Sequence, residues 1–325
     1  MLPYDVPMKV LITGGAGFIG SHLADKYLAL GHSVKILDNF STGAIENVKH
    51  ICEDIEIVDG DIRDSSLIET LVRNTDLVLH MAAALGVNTI LDAPMESIST
   101  NVIGSEVVLS ASARHAKRII IASTSEIYGK NPKQPLSEND DRVVGAPQKI
   151  RWSYSDAKAI EEAMAFSLHQ EFGLPVTTIR LFNTVGPRQS GDYGMVVPRF
   201  VRCAEMNEPL TVYGDGSQSR AFCHVYDTVR AIHGISEDES TIANVFNIGN
   251  TNPISIADLA LRVIALLKSK SEIEYLSYSQ AYGIGFEDMQ NRIPDISRIK
   301  EATGWEPELD LDRIILDVAK DFSQI

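Results

Sequence analysis

The chain has 325 residues, 44% hydrophobic and 22% charged, the composition of an ordinary globular protein with one large domain or two unequal ones. Its formal net charge of -15 argues against nucleic-acid binding, and an anionic ligand would need local arginines to overcome a repulsive field. No stretch reaches the ~18 apolar residues of a membrane span. Met1–Pro7 lacks the basic and apolar regions of a secretory leader, and Cys52, Cys203 and Cys223 have no C-x-x-C spacing, so reduced thiols in a cytoplasmic protein are expected.

Lys9–Thr13 is a short apolar run that reads as a buried parallel strand. Gly14, Gly17 and Gly20 follow at once, and then a helical stripe of Ile19, Leu23 and Tyr27. In such a strand–turn–helix, Gly14 permits the tight turn, Gly17 lets backbone approach a pyrophosphate and Gly20 lets the helix lie close to the strand. The phosphates then meet open amides at the helix N-terminus. Ser33–Asp38 is the second strand. Asp38 at its end accepts hydrogen bonds from an adenosine ribose and repels a 2′-phosphate, which favours NAD over NADP. Ile55–Val58 is a third strand, and Asp61 and Ile62 after it sit either at an adenine edge or in a plain acidic turn. Asp76–His80 is a fourth, and the small residues Ala82 and Ala83 beyond it leave room for a cofactor across the strand ends.

A helix is expected from Pro94 to about Ala116, then a fifth strand, Arg118–Ala122. Ser123, Thr124, Ser125 and Glu126 stand at its C-terminal end, where doubly wound sheets bind ligands, although such clusters also cap helices. Residues 130–151 read as a loop, long enough to suggest function. Tyr154 and Lys158 are four apart and share one face of the next helix. A tyrosine with a free pKa of about 10 needs nearby positive charge to act as a base, and lowering that pKa by three units takes roughly 4 kcal/mol. One cation about 4 Å away at an effective dielectric of ~20 supplies about that much, and Lys158 is the candidate. The Tyr154, Lys158, Glu162 row is expected to look into the cleft while Ile160, Met164 and Leu168 lie roughly opposite.

Pro175–Phe182 is a sixth strand, after which the strand–helix alternation loosens. Ala243–Ile248 reads as a strand returning to the main sheet, and Ser255 opens a helix with Ile256, Leu259, Val263 and Leu267 on one stripe. Two short helices are expected after Ser297. The expected fold is α/β: a doubly wound parallel NAD-binding sheet over 1–182 plus about 221–250, and a smaller discontinuous domain over 183–220 and 251–325.

With the glycine turn, Asp38, the strand-end hydroxyls and the Tyr154/Lys158 pair in this order, the sequence resembles the extended short-chain dehydrogenase/reductases that modify nucleotide sugars, from Lys9 to about Asp317. The resemblance implies a Rossmann domain that retains NAD, a C-terminal domain that holds a nucleotide sugar, UDP-linked by first expectation, and homodimers paired through the helices near 95–116 and 154–172. It implies that Tyr154 takes the proton of the sugar 4-hydroxyl as hydride leaves C4, that Lys158 keeps Tyr154 acidic, and that Thr124 or Ser125 bonds the 4-oxygen. The implied cofactor contacts are Gly14, Gly17, Phe18, Ile19, Gly20, Asp38, Asn39, Asp61, Ile62, Ala82, Ala83, Asn101, Ser123, Tyr154 and Lys158. On the substrate side it implies Arg199, Arg220 and Arg292 near the diphosphate or nucleotide, Arg188 at a sugar carboxylate, and Asn183 and Tyr213 at the diphosphate-sugar and base.

The second step turns on Glu126. Val144–Tyr154 and Tyr282–Asp295 look like the corresponding segments of UDP-glucuronate decarboxylases, where a 4-keto group makes the C5 carboxylate a β-keto acid; there Glu126 and Arg292 would manage charge or a proton. Gly186–Gln189 and Tyr213–Arg220 look like 4-epimerases, which need only rotation of the keto sugar, although the latter segment occurs in decarboxylases as well. Decarboxylation is the first expectation and 4-epimerisation the second. A 4,6-dehydratase and a dinucleotide-binding protein without catalysis follow, the last opposed by the presence of both Tyr154 and Lys158.

Overall fold

Val10, Leu11 and Ile12 are buried on both faces, which a strand tolerates only at the centre of a parallel sheet covered on both sides. The computed structural model describes residues 7–84, 93–191, 195–277 and 289–323. Seven strands form one sheet: β1 (Lys9–Thr13), β2 (Ser33–Asp38), β3 (Glu56–Asp59), β4 (Leu77–His80), β5 (Arg118–Thr124), β6 (Val176–Leu181) and β7 (Val245–Ile248). Every pairing is parallel, in the order β7-β6-β5-β4-β1-β2-β3. The order reverses between β1 and β4, and such a switch point opens a crevice at the strand C-termini. This is the doubly wound fold expected from the sequence.

One face of the sheet packs through Ile12, Ile36, Leu79 and Phe246 against α1 (Phe18–Ala29) and against Val225–Glu237. The other packs through Leu11, Leu37, Val78 and Ile119 against α2 (Ser65–Arg73), α3 (Ser105–Arg114) and α4 (Ser153–Phe172). The helix expected from Pro94 is present but interrupted: Pro94–Ser99 enters α3 through a wide π-type turn, Thr100–Gly104. Such turns recur at functional sites, and this one carries Asn101.

A second core lies to one side, with Phe200, Val212, Leu259, Ile314 and Val318 at its centre. Its helices are Val196–Met206, Ile256–Leu267 and Leu311–Phe322, and Leu210–Tyr213 pairs in parallel with Ile273–Leu276. Ile299 and Trp305, expected in the smaller domain, instead pack in the larger core, where the Trp305 indole donates to the Asp227 carbonyl at 3.0 Å. Part of the Tyr282–Asp295 segment, residues 282–288, lies outside the described residues.

Candidate active site

β1 ends in Thr13, and Gly14 turns the chain with φ +68°. A Cβ on Gly14 would lie 2.8 Å from the Ala82 backbone, and one on Gly20 only 2.1 Å from the Gly14 carbonyl. No larger residue fits either place. Gly17 caps α1 without any side-chain hydrogen bond, so the helix presents open amides to the cleft. The Asp38 carboxylate at the end of β2 accepts from the Ala16 amide at 2.9 Å and the Phe40 amide at 2.9 Å, fixing the glycine turn from beside it. Burial raises the Asp38 pKa, partly offset by those amides. Together the open helix end, the cradle only glycine can line and the carboxylate beside it fit the pyrophosphate and adenosine ribose of NAD.

These residues form one end of a cavity of about 920 Å³. Phe18, Ile19, Asn39, Ile62, Ala82 and Ala83 line it as expected. Asp61 does not face it: the carboxylate is held by Arg63 at 2.6 Å and 2.9 Å, an ion pair that keeps its pKa low, so the acidic-turn alternative is the better description. Asn101 is fully occupied as a brace. It donates to the Ala84 carbonyl at 2.9 Å and accepts from the Ala84 amide at 3.0 Å, so it shapes the wall after β4 rather than lining the cavity.

The chemistry gathers where β5 ends. Tyr154 and Thr124 line the cavity side by side, with the Thr124 hydroxyl hydrogen-bonded to the phenol. Ser123 also lines it, but its hydroxyl donates to Glu162 at 2.5 Å. Ser125 is fully buried and accepts from Arg292 at 2.6 Å, so of the two hydroxyls it is Thr124 that lines the cavity. Glu126 lines the cavity and is gripped by Arg151 at 2.5 Å and 3.1 Å, with Arg292 3.9 Å away. Burial works against its ionised form. The charges of Arg151, Arg292 and Arg220 overcome that and hold the carboxyl below its ordinary pKa.

Lys158 departs from expectation. It is 1% exposed and does not line the cavity; its ammonium donates to the Ala122 carbonyl at 2.8 Å and pairs with Glu161 at 2.7 Å. Glu162, expected in the Tyr154 row, instead meets Arg180 on β6 at 2.7 Å. Of the protein's own groups, burial first and then the charges of Glu126 and Glu161 push the Tyr154 phenol above its ordinary pKa, against Arg292 and the Thr124 hydrogen bond.

On the smaller domain, Arg199 stacks 4.5 Å over the Tyr213 ring and hydrogen-bonds its hydroxyl, while Arg220 donates to the Ser219 and Gln290 carbonyls. Asn183, with φ +34°, donates to the Ala221 carbonyl at 3.1 Å. All four line the cavity together with Arg292, and the three arginines make that part of its lining cationic. Arg188 lines it too, with its guanidinium engaged by Asp25 of α1 at 2.8 Å and by His50 at 3.3 Å. Sequence reasoning missed Arg151 and Glu161. Arg151 stood in a loop without periodicity; Glu161 was legible as the position seven after Tyr154 on one helical face.

The sequence of residues 11–318 matches the family model described as GDP-mannose 4,6 dehydratase. The chain belongs to that family. Within it, the chain is 40% identical over 318 residues to a UDP-N-acetyl-alpha-D-glucosaminuronate decarboxylase of Bacillus cytotoxicus, covering 98% of both. It is 36% identical to UDP-glucuronic acid decarboxylase 1 of Danio rerio, covering 97% of this chain and 73% of that one. The solved UDP-glucuronic acid 4-epimerase of Bacillus cereus, in complex with UDP-glucuronic acid and NAD, superposes with a TM-score of 0.86 at 26% identity, covering 98% of this chain and 99% of that one. The protein is thus an NAD-dependent nucleotide-sugar enzyme of the extended short-chain dehydrogenase/reductase class.

Proposed function

We propose that this protein decarboxylates a UDP-linked hexuronic acid, UDP-glucuronate or its 2-acetamido counterpart, through a 4-keto sugar. The carrying observation is Glu126, held ionised between Arg151 and Arg292 beside Tyr154 and Thr124. Bound NAD supplies a reversible hydride acceptor for C4 of the sugar. Tyr154, as phenolate, takes the proton of the 4-hydroxyl, and Thr124 holds the 4-oxygen as it becomes a carbonyl. The C5–C6 bond then breaks, carbon dioxide leaves, and the electron pair enters the C4 carbonyl as an enolate. Arg292, which lines the same cavity, offsets that charge. Glu126 is ionised and so a poor proton donor; it orients a water that gives its proton to C5, and the hydroxide left is neutralised by a proton from solvent. Tyr154 finally returns its proton to the 4-oxygen as C4 regains hydride, and the dinucleotide is unchanged overall. The cationic wall of Arg199, Arg220 and Arg292 supplies the local positive field that a diphosphate needs in a chain of net charge -15.

The printed activities of the two decarboxylase relatives support this reading. The second reading, 4-epimerisation of a UDP-uronate, is favoured by the likeness to the Bacillus cereus enzyme and needs no role for Glu126 beyond a structural ion pair. Mass spectrometry after incubation with UDP-glucuronate, UDP-N-acetylglucosaminuronate and UDP-glucose separates them: decarboxylation removes carbon dioxide from the uronates, epimerisation leaves mass unchanged, and dehydration removes water.

A homodimer is part of the proposal. Met95, Ile103 and Ile160 are 73%, 52% and 48% exposed on adjacent helices, an apolar face suited to a second copy. Cytoplasmic residence is supported by three free cysteines. Among the described residues no helix is long and apolar enough to cross a membrane.

A further inference from the structure

Glu161 has no part in the chemistry above, yet it is 0% exposed and touches Lys158. Tyr154, Lys158 and Glu161 stand at i, i+4 and i+7 of α4, one helical stripe. A buried carboxylate is expensive unless its partners repay the desolvation. Here one oxygen has Lys158 at 2.7 Å, while Oε1 is buried without a hydrogen-bond partner among the described residues. Such an arrangement serves stability poorly.

The groups facing Glu161 are few. On its own helix they are Lys158 and Glu162, and Glu162 is neutralised by Arg180 from β6. Burial raises the Glu161 pKa, while Lys158 and then the Ser105 hydroxyl of α3 favour the ionised carboxylate. Behind Ser105, at 3.0 Å, is His80 of β4, whose other nitrogen is 2.7 Å from the Thr13 hydroxyl of β1. His80 carries no charge at neutral pH, since burial and then Lys158 push its pKa down to about 3. Lys158 is therefore the only cation in contact with Glu161 among the described residues. Tyr154 itself feels Glu126 and Glu161 as opposing charges and Arg292 as a supporting one.

We infer that Glu161 is a positioning residue that sets the proton affinity of Tyr154, by engaging the Lys158 ammonium inside the protein and offsetting its field at the phenol. The inference rests on Tyr154 being the base of the C4 oxidation. A buried carboxylate whose charge reaches the phenol disfavours phenolate. It lowers the fraction of phenolate available to the first half-reaction, and it keeps the phenol protonated until the 4-oxygen takes that proton as C4 regains hydride. An enzyme that must complete both halves on one bound cofactor gains from a phenol held between extremes.

The test is a pH titration of Tyr154 by NMR in protein carrying 13C at the hydroxyl-bearing ring carbon of tyrosine, the signal being assigned by its loss in Tyr154→Phe. Glu161→Gln keeps the shape and removes the charge. Its Tyr154 is expected to ionise about one pH unit or more below wild type. Glu161→Asp, which retracts the carboxylate, is expected to shift it the same way by less, and it serves if the amide variant folds poorly. The acid limb of the pH–rate profile should move down with the titration. An unchanged or raised Tyr154 midpoint in a variant with wild-type circular dichroism and NAD content overturns the inference. Turnover of Tyr154→Phe separates the two levels: if that variant is inactive while the Glu161→Gln titration is unmoved, this inference alone fails, whereas full activity of Tyr154→Phe removes the base assignment beneath it.

Discussion

Arg151 meets Glu126 as a two-pronged ion pair, 2.5 Å and 3.1 Å between their atoms, with side chains only 6% and 15% exposed. The pair joins the end of the 130–151 loop to the end of β5, and so ties an irregular segment to the chemistry. Glu126→Gln keeps the shape but loses the charge. It is expected to leave C4 oxidation intact, seen as reduction of bound NAD on adding UDP-glucuronate, and to slow carbon dioxide release by about 100-fold. Stopped-flow absorbance and product mass together check both halves.

Arg151→Ala has a different signature. It leaves a buried carboxylate without its main counter-charge, so the Glu126 pKa rises and stability falls by about 3–5 kcal/mol. Chemical denaturation of wild type and variant measures that loss.

The same pair shapes the acid limb of stability. The folded pKa of Glu126 lies below its ordinary unfolded value of about 4.3. Its contribution is therefore fully present above that value and is lost as pH falls toward and through the folded pKa. Thermal melts between neutrality and pH ~3 should decline more steeply in wild type than in Glu126→Gln, which has no proton to bind there.

Tyr154→Phe is expected to reduce turnover by about 1,000-fold or more while the purified protein keeps its NAD. Since burial and two carboxylates hold the phenol above its ordinary pKa and phenolate is the working form, the rate of C4 oxidation in wild type should climb with pH through neutrality. A single-turnover pH series checks the sign.

Gly14→Ala places a methyl group 2.8 Å from the Ala82 backbone at φ +68°. It is expected to strip NAD from the purified protein and to cost about 1–3 kcal/mol of stability. Cofactor content after heat release and the melting temperature report the two effects separately.

The features that were legible in the sequence are those fixed locally. Gly14 and Gly20 have one conformational and one steric reason to be glycine, both contained in a strand–turn–helix. The apolar runs of β1, β4 and β5 announced a sheet covered on both faces because every residue in them after the exposed Lys9 is buried or half-buried. The features that escaped are those decided by tertiary partners. From Lys158, positions 161 and 162 are both helical neighbours, and only Arg180 on β6 decides that Glu162 turns one way and Glu161 the other. Arg188 takes φ +65° and joins Asp25 of α1, a contact across the fold that no spacing announces. Arg151 folds back onto Glu126 from a stretch with no period to read.

The fate of two atoms in one substrate separates decarboxylation with a retained hydride from its alternatives. UDP-glucuronate, or its 2-acetamido counterpart, carrying deuterium at C4 and 13C in its carboxylate should yield labelled carbon dioxide and a UDP-pentose that still holds the deuterium at C4, since the hydride lent there is returned. A product that keeps the labelled carboxylate with C4 inverted would contradict decarboxylation, and loss of the deuterium to solvent or to added dinucleotide would contradict the retained hydride.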